Sequence, residues 1–419
     1  MTGTIEAVRR LADWDPPLLR SIAAEHGTPV YVIDLDRVEA NLERLRGAFP
    51  GASIHYAAKA NAGRAVLSTL LDSDAGVECA SAGEVTRALD AGFDGEDVLY
   101  TPVNPPARDL DTVISHWQSN QDITVTVDAE DTIERLSERG FDGQISIRIH
   151  PGIGAGHSES VSTGGDAKFG VPPEEVEGLA RIALDRGLDV VGLHVHVGSG
   201  ILDEDIPTHR AVVERLASVV ESVSFDPSFV DVGGGFGVPY RPSEDPLDLS
   251  RIARETRDAL ESVSATLVIE PGRYLVADAG VLLTRVNTTK TSNATETSDA
   301  GYFAGVDAGM SDFLRPALYD SYHEIRNLEA GAADRPSESV SVVGPICEST
   351  DIFAAHRPLP RPERGDLLAI GNAGAYGIEM ANQYNSRPRP SVVALENGED
   401  RLVRRREAIS DITATEVSE

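Results

Sequence analysis

Cysteine, lysine and long apolar runs are what this sequence has least of. Two cysteines in 419 residues, Cys79 and Cys347, cannot build a disulfide framework. No stretch approaches the roughly 20 apolar residues of a membrane span, and the opening residues MTGTIEAVRRLADWDPPLL lack the apolar centre of a secretory signal. Basic residues number 37 against 68 acidic ones, a formal charge of −31. Nucleic acid and anionic membranes both require basic surface, so neither is an expected partner. Together these absences describe a soluble, cytoplasmic protein.

What is present is the composition of a folded globular chain, with 41% apolar residues and its 38 Gly and 24 Pro spread along the length. Nearly all the basic residues are Arg; the lysines are Lys59, Lys168 and Lys290. An Asp/Glu surface from which lysine has almost vanished suits concentrated salt, where the Debye length falls to about 3 Å at 1 M and self-repulsion is screened. A high-salt cytoplasm is the expected setting.

Eight short β-rich runs occur in the first two thirds: 53–60, 76–81, 97–102, 124–128, 145–151, 189–196, 229–235 and 266–272. Segments with helical spacing separate them, for example Val176, Leu179, Ile182 and Ala183, or Val212, Leu216 and Val219. Ser81 followed by Glu84 forms a capping box, and Gly92, Gly140 and Gly187 fall where helices end. Strands apolar on both faces and alternating with helices make a parallel sheet, and eight of them predict closure into an α/β (β/α)8 TIM barrel. An open doubly wound sheet is the alternative. After residue 275 the rhythm turns to β-like runs without long helices, so a β-rich second domain follows. The polar tract 287–299 reads as a solvated hairpin loop, and the Gly-rich stretch 151–165, which fits no nucleotide-binding pattern, as a flexible loop over the site mouth.

Active sites of such barrels lie at the C-terminal strand ends. There the sequence places Lys59, His196, Gly233 to Gly235, and Glu270 with Arg273. A lysine ending a buried strand is costly to desolvate unless neutralised, and a Schiff base with a carbonyl compound neutralises it. Three successive glycines expose backbone N–H groups that can wrap an anion, and after the seventh strand a phosphate is the expected one. Glu270 is either a general base or a partner for a protonated pyridine nitrogen. Cys79, on a buried strand, reads as inert core.

These residues sit in longer motifs: YAAKAN at 56–61, SAGE at 81–84, GLHVHVGSG at 192–200, DVGGGFGVPY at 231–240, EPGRYLVADAG at 270–280, LRPALYDSYH at 314–323, GPICESTDIFA at 344–354 and GAYGIEMANQYNSRPRP at 374–390. In order and over nearly the whole chain they resemble the fold-type III pyridoxal-phosphate-dependent decarboxylases, which act on ornithine, arginine or diaminopimelate. The branch resembled most closely is the one acting on diaminopimelate. The resemblance implies a pyridoxal-phosphate barrel of the alanine-racemase type over 36–275, with residues 1–35 and 276–419 forming a β-rich domain that completes the active site and the dimer interface. It implies that Lys59 holds the cofactor covalently and His196 stacks on its ring. Ser199, Gly235, Gly272 and Arg273 would hold the phosphate, and Glu270 the pyridine nitrogen. Cys347 would be the proton donor, reaching with Glu348 into the partner's site of a homodimer. Tyr376 would close over cofactor and substrate. Arg273, Arg315 and Tyr319 would grip the distal carboxylate, and Glu348 the distal ammonium. Such an enzyme would release CO2 from meso-diaminopimelate and leave L-lysine.

The related decarboxylases of ornithine, arginine or carboxynorspermidine are disfavoured by Arg315 and Glu348. An inactive regulatory homologue would have lost Lys59, Cys347 or Tyr376. Two departures from the family pattern stand out: Glu78 replaces an aspartate, and TPVNPP at 101–106 replaces the usual turn. Lys168 resembles a lysine that pairs across the dimer, with Asp351 as the candidate acid.

Overall fold

A computed structural model describes residues 8–119, 122–153, 155–156, 168–292 and 301–417. The chain divides into two compact units. One, the barrel unit, comprises Glu39–Val238 and Asp245–Leu275; the other, the sheet unit, comprises the chain up to Val38, Pro239–Glu244 and Val276–Glu419.

Apart from the two-residue pair Ala155–Gly156 and Gly198–Ser199, the strands in chain order are β1 (Val30–Asp34), β2 (Ser53–Ala57), β3 (Gly76–Cys79), β4 (Val98–Tyr100), β5 (Thr124–Val127), β6 (Gln144–Arg148), β7 (Asp189–His194), β8 (Phe229–Asp231) and β9 (Thr266–Ile269). There follow β10 (Gly280–Ser292), β11 (Gly301–Val306), β12 (Ile325–Asn327), β13 (Ser337–Val343), β14 (Ile352–Pro360), β15 (Leu367–Ile370), β16 (Ser391–Glu396) and β17 (Glu399–Arg404).

Strands β2 to β9 close on themselves as a parallel eight-stranded barrel, the predicted architecture. Ser81 caps its helix as expected: its Oγ accepts the Glu84 N–H at 3.3 Å, while the Glu84 carboxylate accepts the Ala80 N–H at 2.7 Å. Inside the barrel the hydroxyls of Thr101, Thr126 and Ser146 join in a row, at 3.2 and 2.8 Å, so the polar side chains of β5 and β6 are buried with partners. Thr101 thereby ties the unusual 101–106 turn into the barrel.

The strands end earlier than the sequence suggests. β7 stops at His194, β8 at Asp231 and β9 at Ile269, so His196, the glycine triplet and Glu270 all lie in the loops just beyond. The cause at β8 is visible in the backbone: Gly233 and Gly235 have φ of +70° and +94°, which no strand ladder tolerates. Lys59 likewise sits in the single 3-10 turn Ala58–Ala60 after β2.

In the sheet unit, nine strands form one mixed sheet among the described residues. β1 is central to it, antiparallel to β10 on one side and parallel to β16 on the other. Alternation puts Val30 and Val32 on the face that packs with Val281, Leu283, Val393 and Leu395, against Leu19 and Ile22 of the helix Pro16–His26. The tract 287–299 departs from expectation: up to Ser292 it is not loop but the second half of β10, paired with β11, where Thr288, Thr289 and Thr291 suit an extended chain. Its remainder, and most of the loop expected at 151–165, lie outside the described residues. No described helix is long and apolar enough to cross a membrane.

Candidate active site

The barrel unit gathers charge at its C-terminal mouth. Lys59 Nζ donates to Glu78 Oε2 at 2.9 Å, so the glutamate that departs from the family pattern is the partner of the key lysine. Glu78 is fully buried at the β3 end; burial, opposed by Lys59 and reinforced by Glu270, pushes its carboxyl up to about 7. His194 Nε2 lies 3.5 Å from Glu270 Oε2, both side chains being almost wholly buried. His194, Asp231 and Glu270 present ligand atoms all within 4.8 Å of one another. Three carboxylates and a lysine this close cannot all ionise independently. Burial works against ionisation of Glu270, but His194, Lys59 and His196 outweigh it and hold the carboxyl below its ordinary range. Asp231 is driven the other way, by burial first and by the negative Glu270 second, and keeps its proton.

Half-buried His196 lies two residues past His194, and burial together with Lys59 and Arg148 keeps its ring neutral. Sequence reading singled out His196 and missed His194. The signal was there, because residues two apart on an extended chain point to one face.

The glycine triplet leaves no room for side chains. A Cβ on Gly234 would stand 2.0 Å from the Glu270 carbonyl oxygen, and one on Gly235 2.5 Å from that of Gly198. Bare backbone therefore faces the mouth between the β7 and β9 loops. Beside it Arg273, almost fully buried, donates from Nη2 to Ser199 Oγ at 3.0 Å. Gly272 packs against the Cβ atoms of Ala57 and Ala60, on either side of Lys59. Cys79 is buried next to Glu78, and burial raises its thiol, consistent with inert core.

The sheet unit holds the other predicted residues. Arg315 opens the short helix Arg315–Tyr319 and is only 2% exposed. Its guanidinium carbon lies 5.4, 5.8 and 5.9 Å from the ring centres of Tyr240, Tyr319 and Tyr376. Arg315 thus sits in an aromatic cage, and Tyr376 contributes from a backbone with φ +54°. Cys347 and Glu348 are exposed, on the turn before β14. Two residues missed from sequence brace them: Asn385 Nδ2 donates to Cys347 Sγ at 3.2 Å, and Tyr384 Oη to Glu348 Oε1 at 2.5 Å.

Asp351, expected to meet a lysine, is occupied within its own unit. It is 3% exposed, and its two oxygens accept the N–H groups of Met310 at 2.6 Å and Ile346 at 2.7 Å. The carboxylate shapes the turn that carries Cys347. Lys168 is exposed, with its ammonium 5.2 Å from the Phe169 ring centre.

The family described as "Pyridoxal-dependent decarboxylase, pyridoxal binding domain" matches residues 35–277. Diaminopimelate decarboxylase of Methanothermobacter thermautotrophicus is 42% identical over 93% of this chain and 92% of its own. That of Streptomyces coelicolor is 35% identical over 96% and 92%. Among solved structures, the Helicobacter pylori diaminopimelate decarboxylase complexed with L-lysine is similar with a TM-score of 0.87 at 34% identity, covering 95% of this chain and 99% of that one.

Proposed function

Since the chain belongs to the pyridoxal-dependent decarboxylase family, we propose that it releases CO2 from meso-2,6-diaminopimelate and leaves L-lysine, the last step of lysine biosynthesis. The cofactor is pyridoxal 5'-phosphate, and the barrel residues fit it. Glu270 Oε1 is buried without a hydrogen-bond partner among the described residues, an acceptor suited to a pyridinium N–H. The glycine backbone beside Ser199 and Arg273 suits a phosphate. Bound pyridoxal phosphate supplies an electron sink for the pair left when a carboxylate departs as CO2.

The chain's own residues do the rest. Lys59 would contribute the amine that holds the cofactor, and Glu78, poised near 7 and 2.9 Å from it, could accept a proton from that amine. Ionised Glu270, with His194 beside it, would hold the proton of a pyridinium nitrogen, and His196 would pack against the ring. Ser199, Gly235, Gly272 and Arg273 hold the phosphate. When the bond from the α-carbon to its carboxylate breaks, the electron pair stays with the carbon, and the Cys347 thiol returns a proton to it. Tyr376 covers cofactor and substrate. Arg315, with Arg273 and Tyr319, grips the distal carboxylate, and Glu348 receives the distal ammonium.

One observation carries the substrate assignment: Arg315 is buried in an aromatic cage. Ornithine, arginine and lysine, decarboxylated at the α-carbon, bring no carboxylate to that end, and a buried guanidinium left unmatched rejects them. CO2 release measured in concentrated salt with added pyridoxal phosphate checks this, with meso-diaminopimelate against ornithine, arginine and lysine. Turnover of ornithine equal to that of diaminopimelate would overturn it.

We further propose a homodimer with shared sites, in which Cys347 and Glu348 serve the partner's Lys59. Mixing inactive Lys59→Ala and Cys347→Ala chains then restores part of the activity, whereas self-contained sites give none. The acidic surface and scarcity of lysine support a high-salt cytoplasm as the setting; a melting temperature that rises steeply between dilute buffer and molar KCl is the expected result.

A further inference from the structure

We propose that Asn385 is a positioning residue for proton return, holding the Cys347 sulfur by an N–H donor that steadies the charge left once its proton has gone. This rests on the reading that Cys347 is the proton donor. Asn385 Nδ2 donates to Cys347 Sγ at 3.2 Å. A thiol has one hydrogen to give and lone pairs with which to receive. The amide N–H engages a lone pair, so the S–H hydrogen is not used up in holding the sulfur. When that hydrogen passes as a proton to the α-carbon, the S–H bonding pair stays on sulfur. A neutral hydrogen bond then becomes a charge-assisted one, roughly twice as strong. The contact therefore gains strength as the transfer proceeds, which is what lowers a barrier.

The two side chains are held in register by the backbone around them. Tyr384 Oη meets Glu348 Oε1 at 2.5 Å beside the first contact, so residues 384 and 385 pair with 348 and 347. Both segments are anchored on neighbouring residues. Met310 N–H binds Asp351, whose other oxygen takes the Ile346 N–H just ahead of Cys347. The Ser311 carbonyl accepts the Asn382 N–H at 2.8 Å, and Asn382 Oδ1 accepts the Tyr384 N–H at 3.0 Å. All of these residues lie in the sheet unit, so the pair stays together whichever chain's Lys59 it serves. Asn385 itself has φ +57° and ψ +27°, a left-handed conformation that glycine adopts freely and Asn or Asp tolerate. Glycine would serve that turn as well, but it has no amide to offer the sulfur.

Glycine and aspartate therefore separate the two roles. Asn385→Gly keeps the turn and removes the donor; Asn385→Asp keeps the shape and puts a negative acceptor in its place. In the holoenzyme, kcat for diaminopimelate should fall about tenfold in Asn385→Gly and about 100-fold in Asn385→Asp, with KM and L-lysine affinity changed less than about twofold. A second readout is where the proton goes. If it reaches the cofactor's former aldehyde carbon instead of the α-carbon, water releases the substrate carbon as an aldehyde and leaves its nitrogen on the cofactor as pyridoxamine phosphate. The cofactor then gains the two electrons that the substrate carbon loses. Pyridoxamine phosphate formed per CO2 should rise about fivefold or more in both variants. A third readout needs no turnover: iodoacetamide reacts with thiolate, and Cys79 is buried, so alkylation of the resting holoenzyme reports Cys347. It should slow about tenfold in Asn385→Asp, where a carboxylate opposes the thiolate. If one variant fails to fold, as judged by melting, the other decides. Unchanged kcat and partition in Asn385→Gly would leave Asn385 a turn residue only. Unchanged kcat and alkylation in Asn385→Asp would mean that the sulfur does not use the N–H. Either result overturns the proposal. Cys347→Ala runs alongside: if it keeps full turnover, the reading of Cys347 itself fails, independently of Asn385.

Discussion

The predicted site residues of the two units hold their buried charge in different ways. In the barrel unit the ammonium of Lys59 meets Glu78 directly and His194, which burial keeps neutral, lies beside Glu270, while the carboxyls are split into one ionised, one protonated and one poised near 7. In the sheet unit the buried cation Arg315 lies among rings and takes hydrogen bonds to His323 and Ser321. The first arrangement suits reactivity, since proton positions must be set and moved. The second suits recognition, because the cation is oriented among rings.

This division can be broken by kinetics. The largest effect belongs to Lys59→Ala, where CO2 release should fall by about 10⁴-fold or more and the visible absorbance of bound cofactor should be lost. Glu270→Gln should lower kcat by about 10²- to 10³-fold with KM nearly unchanged, while Arg315→Gln should raise KM by about 10²-fold with kcat largely retained. The reverse pattern, a KM defect from Glu270 and a kcat defect from Arg315, would end the comparison. Asp351→Ala should cost about 1–3 kcal/mol by leaving two backbone N–H groups unpaired. It should also alter the rate at which Cys347 is alkylated, and Asp351→Asn should recover part of both.

The smallest effect is in pH. Burial lowers His55 and His209 to about 4, so both are neutral when folded and titrate in the ordinary histidine range when unfolded. Between about pH 6.5 and 4 the unfolded chain binds more protons, and stability falls as pH falls through that window. His209, fully buried and 2.8 Å from Thr256 Oγ1, is far from the chemistry, so His209→Gln should flatten the slope of melting temperature against pH without altering turnover.

Much of the barrel was legible because its signal is local. Each strand is a short β-rich run between helical stretches, and Ser81, Gly92 and Gly187 punctuate them. The sheet unit was less so. β14 was not read as a strand, since IFAAHRPLP alternates poorly and contains two prolines, and β12 is only three residues long. Their pairing comes from partners elsewhere in the chain. At the site, Lys59, Glu270, Arg315 and Cys347 could be found from motifs. Asp231 could not, because its importance lies in which atoms it faces, and His194, two residues before His196, was readable only from that spacing. Glu78 looked like a departure until its 2.9 Å contact with Lys59 gave it a purpose.

The central place of β1 bears on how the molecule is made. Its two neighbours, β10 and β16, begin at Gly280 and Ser391, so the strand synthesised first has no partner until the barrel has emerged and no second partner until the sheet is almost finished. At about 5–20 residues per second that interval is on the order of tens of seconds. During it VYVID is an apolar edge awaiting capture. The barrel can close meanwhile from its own residues, and the sheet is the part of the molecule whose assembly a ribosome delays and a chaperone would guard.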